Sequence, residues 1–232
     1  MLEVDLIKRR RDFNVEITFT LPSGAKLGLF GGSGEGKSTV LSCLAGLEVP
    51  DAGRVTFNGQ ILFPPPLPLA HRGIGYLTQE DHLFPHLTVC ENVLFSLSHR
   101  TRAREQLWIG ELRERFGLAS FWHAPVHHLS GGQARRVALA RIIARKPQLV
   151  LLDEPFSGLD RHIVRELIQV LSEWQQMLGF TLVVVDHQAN IVKQLCPRVL
   201  VIEQGRVVQD GSWGQLTREP ATPLLASLLA PG

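Results

Sequence analysis

Long apolar runs are missing from this 232-residue sequence. Its longest wholly apolar stretches, such as Leu149–Leu152 and Leu182–Val185, fall far short of the ~20 residues that a membrane-crossing helix needs. If the chain works at a membrane, something else holds it there. Cysteine is scarce and scattered. Cys43, Cys90 and Cys196 show no ligand spacing, which argues against a cysteine-held metal centre and fits reduced thiols in a cytosol. An excess of one charge is missing too, since 24 basic residues nearly balance 22 acidic ones. Nothing demands a polyanionic partner, so no nucleic acid is expected. The opening MLEVDLIKRRR has charge inside its first apolar stretch and lacks the pattern of a signal peptide. What remains is an ordinary composition, 44% hydrophobic and 20% charged. The chain is long enough for one large α/β domain, or one domain with a small lobe.

Glycine is plentiful, and its densest use organises the chain. Gly31–Thr39 reads GGSGEGKST, after a short apolar strand, Lys26–Phe30, and before an apolar helical run, Val40–Leu47. Strand, Gly-rich loop and helix are the context a phosphate-binding P-loop requires, and Gly31-x4-Gly36-Lys37-Ser38 fits its spacing. Gly31, Gly32, Gly34 and Gly36, with Ser33 and Glu35 between them, let successive N–H groups turn inward onto an anion. The new helix adds its positive N-terminal end, and Lys37 a full charge near the β/γ-phosphates. Ser38, followed by Thr39, offers a hydroxyl to Mg²⁺, which prefers hard oxygen ligands. A turn that merely caps a helix gives Lys37-Ser38 no packing reason to follow it. A nucleotide site is expected.

Before the P-loop, Leu2–Ile7 and Phe13–Leu21 read as strands, the second alternating Phe13, Val15, Ile17, Phe19 and Leu21 on one face. Between them Lys8-Arg9-Arg10-Arg11 reads as a solvated turn; the other reading is that an Arg plane or Phe13 stacks on an adenine ring. After it, Arg54–Asn58 and Gly59-Gln60-Ile61 suggest a β-hairpin, and Phe63–Pro68 an exposed loop. Gly73–Thr78 resumes as a strand and delivers Gln79 at its end. From Glu80 to His128 the character changes: Thr88–Leu97 and Ala103–Phe116 carry helical spacing, the latter through Leu107, Leu112 and Phe116. His82 and His86 are four apart, but Pro85 between them argues against a zinc-holding helix. His127-His128 reads as loop surface.

Leu129-Ser130-Gly131-Gly132-Gln133 then opens a long helix, Ala134–Arg145, stopped by Lys146-Pro147. Ser130 reads as an N-cap, with Gly131-Gly132 leaving amides accessible at the helix start, a second anion-binding terminus. Leu149–Leu152 is continuously apolar, as a strand buried on both faces would be, and ends in Asp153-Glu154. Ligands bind at such strand ends in open α/β sheets. Asp153 is placed to hold hydrated Mg²⁺ and Glu154 to take a proton from an attacking water. Pro155–Asp160 turns the chain into an amphipathic helix, Arg161–Leu178. Phe180–Val185, another buried strand, ends in Asp186-His187, where His187 suits a γ-phosphate contact. A hairpin of Arg198–Glu203 and Arg206–Gln209, a short helix near Trp213–Leu216 and a peripheral tail, Thr217–Gly232, close the chain.

In this order GGSGEGKST, Gln79, LSGGQ, LVLLDE, SGLD and His187 resemble the nucleotide-binding subunit of ATP-binding cassette (ABC) transporters over nearly the whole length. LSGGQ some twenty residues before a Walker B strand is the specific part. The resemblance implies an α/β fold: a P-loop NTPase core with a mostly parallel central sheet, an antiparallel β subdomain and a helical insertion. It implies one ABC ATPase domain, with core at 1–79 and 147–217, insertion and signature motif at 80–146, and a short tail at 218–232. Gly31–Thr39 and Asp153 would hold ATP·Mg²⁺, and Gln79 would sense the metal and the lytic water. Glu154 would be the base, Lys37 and His187 would contact the phosphates, and Ser38, Gln79 and Asp153 form the metal set. Ser130, Gly131, Gly132 and Gln133 would close over ATP on another subunit, and Asp160 would help join the two half-sites. The partners implied are a second ABC subunit in a homodimer, an integral membrane permease and a solute-binding protein. The place implied is the cytoplasmic face of the cell membrane.

Asp81–Val93 resembles bacterial importer ATPases, and the opening strands look like those of molybdate importers. Molybdate or a related oxyanion is therefore the expected cargo; thiamine or another small solute, or a soluble non-transport ABC role, are the alternatives. Two features depart from the family pattern. Phe13 is the nearest counterpart of its adenine-stacking aromatic, with an Arg as substitute if Phe13 joins the strand. Glu35 puts an acid inside the phosphate loop, which is expected to reduce ATP affinity.

Overall fold

Alternation drives the first two strands together. In β1 (Leu2–Arg9) alternate residues bury through Leu6, and in β2 (Asn14–Leu21) they bury to the end; the two pair antiparallel from Leu2↔Leu21 to Arg9↔Asn14. β3 (Lys26–Phe30) leads through the P-loop into α1 (Lys37–Ala45), and β4 (Ala52–Phe57) with β5 (Gln60–Phe63) forms a hairpin on the free side of β1. β6 (Ile74–Leu77) precedes α2 (Val89–Leu94), α3 (His99–Arg104), α4 (Gln106–Arg115) and α5 (Gly131–Ile143). β7 (Leu149–Asp153), α6 (Arg161–Leu178), β8 (Thr181–Val185), α7 (Ala189–Leu195), β9 (Arg198–Glu203) and β10 (Arg206–Gly211) follow, then α8 (Trp213–Arg218) and α9 (Pro223–Leu229). The computed structural model describes residues 1–229. Its ten described strands form one sheet in the order β5-β4-β1-β2-β10-β9-β3-β8-β7-β6.

That order joins two kinds of sheet. β9, β3, β8, β7 and β6 are parallel neighbours, whereas β5, β4, β1 and β2 are antiparallel. The seam between β2 and β10 is a single parallel pair, Arg206↔Glu16. β7 shows why its sequence is continuously apolar. Leu149 and Leu151 bury against α1, while Val150 and Leu152 bury among α5, α6 and α7 on the opposite face. Trp108 of α4 meets Trp174 of α6 edge-on at 4.8 Å, and Phe116 stacks on the same ring at 6.0 Å. The helices after β6 are thereby fastened to the sheet's own helical layer.

Four expectations change. α1 begins at Lys37, so the lysine and serine of the P-loop already lie in its first turn. The run 103–116 is two helices, because Glu105 leaves the helical region at φ −102°, ψ 32°. In the second helix Leu112 and Phe116 bury as expected, but Trp108 and Ile109 join them instead of Leu107, which is 90% exposed. α7 was not anticipated. The tail is not peripheral: Pro223 starts α9, Leu225 is fully buried, and Leu228 and Leu229 pack on the core. Proline suits a first helical position, where its missing N–H costs nothing. Residues 230–232 of the expected tail lie outside the described residues. The cysteines are free, and burial pushes the Cys43 thiol up to about 11 and the Cys196 thiol up to about 12.

Candidate active site

Parallel pairing brings the C-terminal ends of β3, β8, β7 and β6 to one edge of the sheet, so the P-loop, His187, Glu154 and Gln79 arrive there together. The P-loop turns on glycines at positive φ: Gly31 at 149°, Gly34 at 81° and Gly36 at 93°. Gly31 has a second constraint, since a β-carbon there would lie 2.2 Å from the Ile202 carbonyl oxygen. Lys37 is 5% exposed and its Nζ donates to the carbonyls of Gly31 and Gly32. Burial lowers the Lys37 pKa, opposed by the fields of Glu154, Glu35, Asp153 and Asp186. An ammonium this buried, with carbonyl partners it can exchange for an anion, is ready to bind phosphate.

Asp153, 6% exposed, ends β7 between two hydroxyls. Ser38 Oγ donates to Oδ1 at 3.0 Å and Tyr76 Oη to Oδ2 at 3.4 Å. Burial raises the Asp153 pKa, with the Ser38 bond opposing it. Glu154 follows at φ 45°, a left-handed backbone that costs a residue with a β-carbon about 1–2 kcal/mol. Its amide donates to Val185 O at 2.9 Å, which pins it beside the end of β8. The carboxylate is approached from two sides: Gln79 Nε2 is 3.4 Å from Oε2 and His187 Nδ1 3.5 Å from Oε1. Asp186, fully buried, accepts from Gln188 N at 2.9 Å through one oxygen while the other has no partner among the described residues. Burial raises its pKa too.

Beside the P-loop, Arg10, Asp12 and Phe13 line a 380 Å³ cleft with Ser33–Thr39 and Glu154. Arg10 is committed elsewhere, paired with Glu48 at 2.8 Å and bonded to Thr39 Oγ1 at 2.9 Å. Phe13 lies just outside β2, half-buried against Gly36. Glu35 accepts the backbone N–H of Gln204, in the β9–β10 turn, through one oxygen, while its other oxygen lies beside Gly32 of the loop.

The signature segment forms a reciprocal cap. Gln133 N donates to Ser130 Oγ at 3.3 Å, and Ser130 N to Gln133 Oε1 at 2.9 Å, leaving the amides of Gly131 and Gly132 without intrahelical partners. Gly132 packs on α6, where a β-carbon would lie 2.8 Å from Ile163 Cδ1. Among the described residues the side-chain bonds of Ser130 and Gln133 run only to one another's residue, none to the P-loop of their own chain. Asp160, exposed, stands at the start of α6 without a capping bond. The structure thus brings Gly31–Thr39, Gln79, Asp153, Glu154 and His187 together, and leaves Ser130–Gln133 and Asp160 out of that constellation. Two residues that sequence reasoning passed over, Arg135 and Arg141, reach from α5 to the chain around Gln79. Their signal was an arginine among the buried apolar positions of α5.

Phosphate loop, strand-end carboxylates and parallel core define a P-loop nucleotide-binding domain of the α/β class. The family pattern described as ABC transporter matches residues 15–157. A Fe(3+) ions import ATP-binding protein from Pseudomonas fluorescens is 39% identical, over 88% of this chain and 58% of its own length. A probable sulfate/thiosulfate import ATP-binding protein from Chlorella vulgaris is 38% identical, over 92% of this chain and 90% of its own. A thiamine import ATP-binding protein from a Jannaschia species is 36% identical, over 97% of this chain and 98% of its own. Among solved structures, an ATP-binding cassette in a dimeric post-hydrolysis state, bound to ADP and Pi, superposes with a TM-score of 0.76. It is 25% identical, and the match covers 91% of this chain and 98% of that one. The chain belongs to the ABC transporter family. Its reaction is ATP hydrolysis.

Proposed function

We propose that this chain is the ATP-hydrolysing subunit of an importer, with Glu154 as the base. The observation that carries the reading is the strand-end constellation: Glu154 flanked by Gln79 at 3.4 Å and His187 at 3.5 Å, one residue beyond the Ser38–Asp153 pair. In this reading the amides of Gly31–Thr39 and Lys37 hold the β- and γ-phosphates. Phe13, half-buried beside Gly36 at the cleft, stacks on the adenine; Arg10 is already bound, which leaves Arg11, also on the cleft, as the arginine that could substitute. Glu154 takes the proton of the attacking water, Gln79 orients that water, and His187 contacts the γ-phosphate. Ser38, Asp153 and Gln79 present hard oxygens, a donor set that fits Mg²⁺. No group of three or more His, Cys, Asp or Glu among the described residues could hold a metal alone, so the remaining ligands would be phosphate oxygens and water. When bound, Mg²⁺ would neutralise charge on those phosphates.

Glu35 is held by the Gln204 amide through one oxygen and keeps its charge near Lys37, so the reduced ATP affinity expected of an acid in the phosphate loop stands as part of this reading. Ser130–Gln133 serve the ATP of a second copy, with Asp160 at the junction. No described helix is long and apolar enough to cross a membrane, so a separate permease would hold the chain at the cytoplasmic face. The best-placed docking surface for it is a 690 Å³ groove beside the Gln79 segment, lined by Tyr76, His82, Phe84, Phe95, Arg141 and Arg145 among others. For cargo, molybdate or a related oxyanion brought by a solute-binding protein is the first reading, supported by the sulfate/thiosulfate relative. Thiamine is the second, favoured by the end-to-end match to the thiamine relative.

Glu154→Gln should cut turnover by roughly 10²–10⁴-fold, the range for losing a general base, while ATP still binds. Near-normal turnover would sink the assignment of Glu154. Capture of tagged Glu154→Gln protein from gently solubilised cells with ATP, followed by mass spectrometry, tests the partner. A stoichiometric polytopic protein supports the importer reading and narrows the cargo; soluble partners alone would remove it.

A further inference from the structure

Arg135 lies in the second turn of α5, only 5% exposed, on a face it shares with buried Ala138, Leu139 and Ile142. A guanidinium stays charged in any protein and is costly to bury unless its donors are met. Here the two terminal nitrogens are met by the chain around Gln79. Arg135 Nη2 donates to Gln79 O at 2.7 Å and Nη1 to Thr78 O at 3.3 Å. Nε lies 3.1 Å from Asp81 Oδ1, an ion contact off the hydrogen-bond line. Further along the helix, Arg141 donates to Asp81 O at 2.7 Å and His82 O at 2.8 Å. Residues 78–82 have no regular structure of their own, so these two arginines supply most of what fixes that segment. The same helix begins at Ser130, and a fork of planar donors holds a peptide carbonyl in one orientation as a single ammonium does not.

We infer that Arg135 is a positioning residue, which fixes the backbone of Gln79 to the signature helix so that the Gln79 side chain stays aimed at Glu154. It touches neither nucleotide nor water. The inference rests on the role proposed for Gln79. It makes α5 and Gln79 one body: any shift of Ser130 as the helix docks on another copy is transmitted to the group facing the base. Asp81 keeps the buried cation balanced, and Arg141 holds the far end of the segment.

A double-mutant cycle on the purified full chain tests this, with turnover at saturating ATP and nucleotide affinity measured for each protein. Arg135→Met should lower turnover about tenfold, within the range of coupling seen between interacting residues, and leave the ATP dissociation constant within about twofold. In a Gln79→Ala background the same substitution should cost less than about twofold, because the group it positions is gone. Equal losses in both backgrounds would show a merely structural arginine and overturn the proposal, as would unchanged turnover in the single variant. Gln79→Ala with undiminished turnover would instead remove the role of Gln79, and this proposal with it. If Arg135→Met does not fold, Arg135→Lys keeps the stem and the charge but loses the fork. The cycle is then run with lysine, and the same non-additivity is required.

Discussion

At Asp153 burial sets stability against chemistry. Its carboxylate is nearly excluded from water and its pKa is raised by that burial, so the ionised form that a metal would need costs folding free energy at neutral pH. Asp153→Asn removes the charge and keeps an oxygen for the Ser38 hydroxyl. The variant should therefore melt higher than wild type, by a few degrees at about 2–4 °C per kcal/mol for a chain of this size, while hydrolysis is lost. The sign with pH follows from linkage. A carboxyl whose folded pKa is raised carries its full penalty above that raised value, and none below the unfolded value of 3.8. The gap in melting temperature should thus be largest at neutral pH and close as the solution is acidified towards 3.8. A variant that melts no higher at pH 7 would show that the two hydroxyls already outweigh the desolvation. The residues of this site were legible because phosphate chemistry fixes short local spacings, such as Gly31 to Ser38 and the pair at the end of an apolar run. The contact made by Glu35 was illegible for the opposite reason: its partner, Gln204, is 169 residues away. Arg135 was missed because its acceptors are backbone carbonyls, which leave no trace in sequence.

Among elements, β3 and α7 show how tightly the P-loop is seated. Gly28 sits mid-strand with α7 against it, and a β-carbon there would lie 2.1 Å from Val192 Cγ1 and 3.5 Å from Cys196 Cβ. Gly28→Ala should lower stability by about 1–3 kcal/mol, the usual cost of overpacking a filled core. Val192→Ala opens that space but leaves a void of its own when made alone. Combined, the two should destabilise less than the sum of the single effects, a deficit read from denaturation midpoints. Strict additivity would mean that the strand, not Val192, yields to the methyl group. The strands were readable wherever alternation or continuous apolarity left one solution, as in β2, β7 and β8. α7 was not read, although Ile191, Val192 and Leu195 mark one helical face, since seven residues between two strands also read as a loop. Of the face expected for α4, Leu112 and Phe116 bury as read and only Leu107 does not. Five residues before Leu112, it stands about 140° around the helix from it, and Trp108 takes its place in the core.

For the whole molecule, the feature that no single chain completes is the start of α5. Ser130 and Gln133 cap one another, so the helix end is held open with the amides of Gly131 and Gly132 unpaired and its dipole directed outward. An anion-binding terminus so built, with no bond to its own P-loop, has a use if the phosphate comes from a second copy. The similar cassette bound to ADP and Pi was solved as a dimer. Glu154→Gln protein, which should keep its ATP, is therefore expected to double its mass by light scattering when ATP is added, and to stay single without it. Ser130→Asp isolates the cause. Aspartate caps a helix as well as serine does, so the melting temperature should hold, but its carboxylate would face the γ-phosphate and repel it. Placed in the Glu154→Gln chain, this substitution should abolish the ATP-dependent doubling. If the doubled species persists with aspartate at the cap, α5 does not close over phosphate, and the second copy docks by some other face.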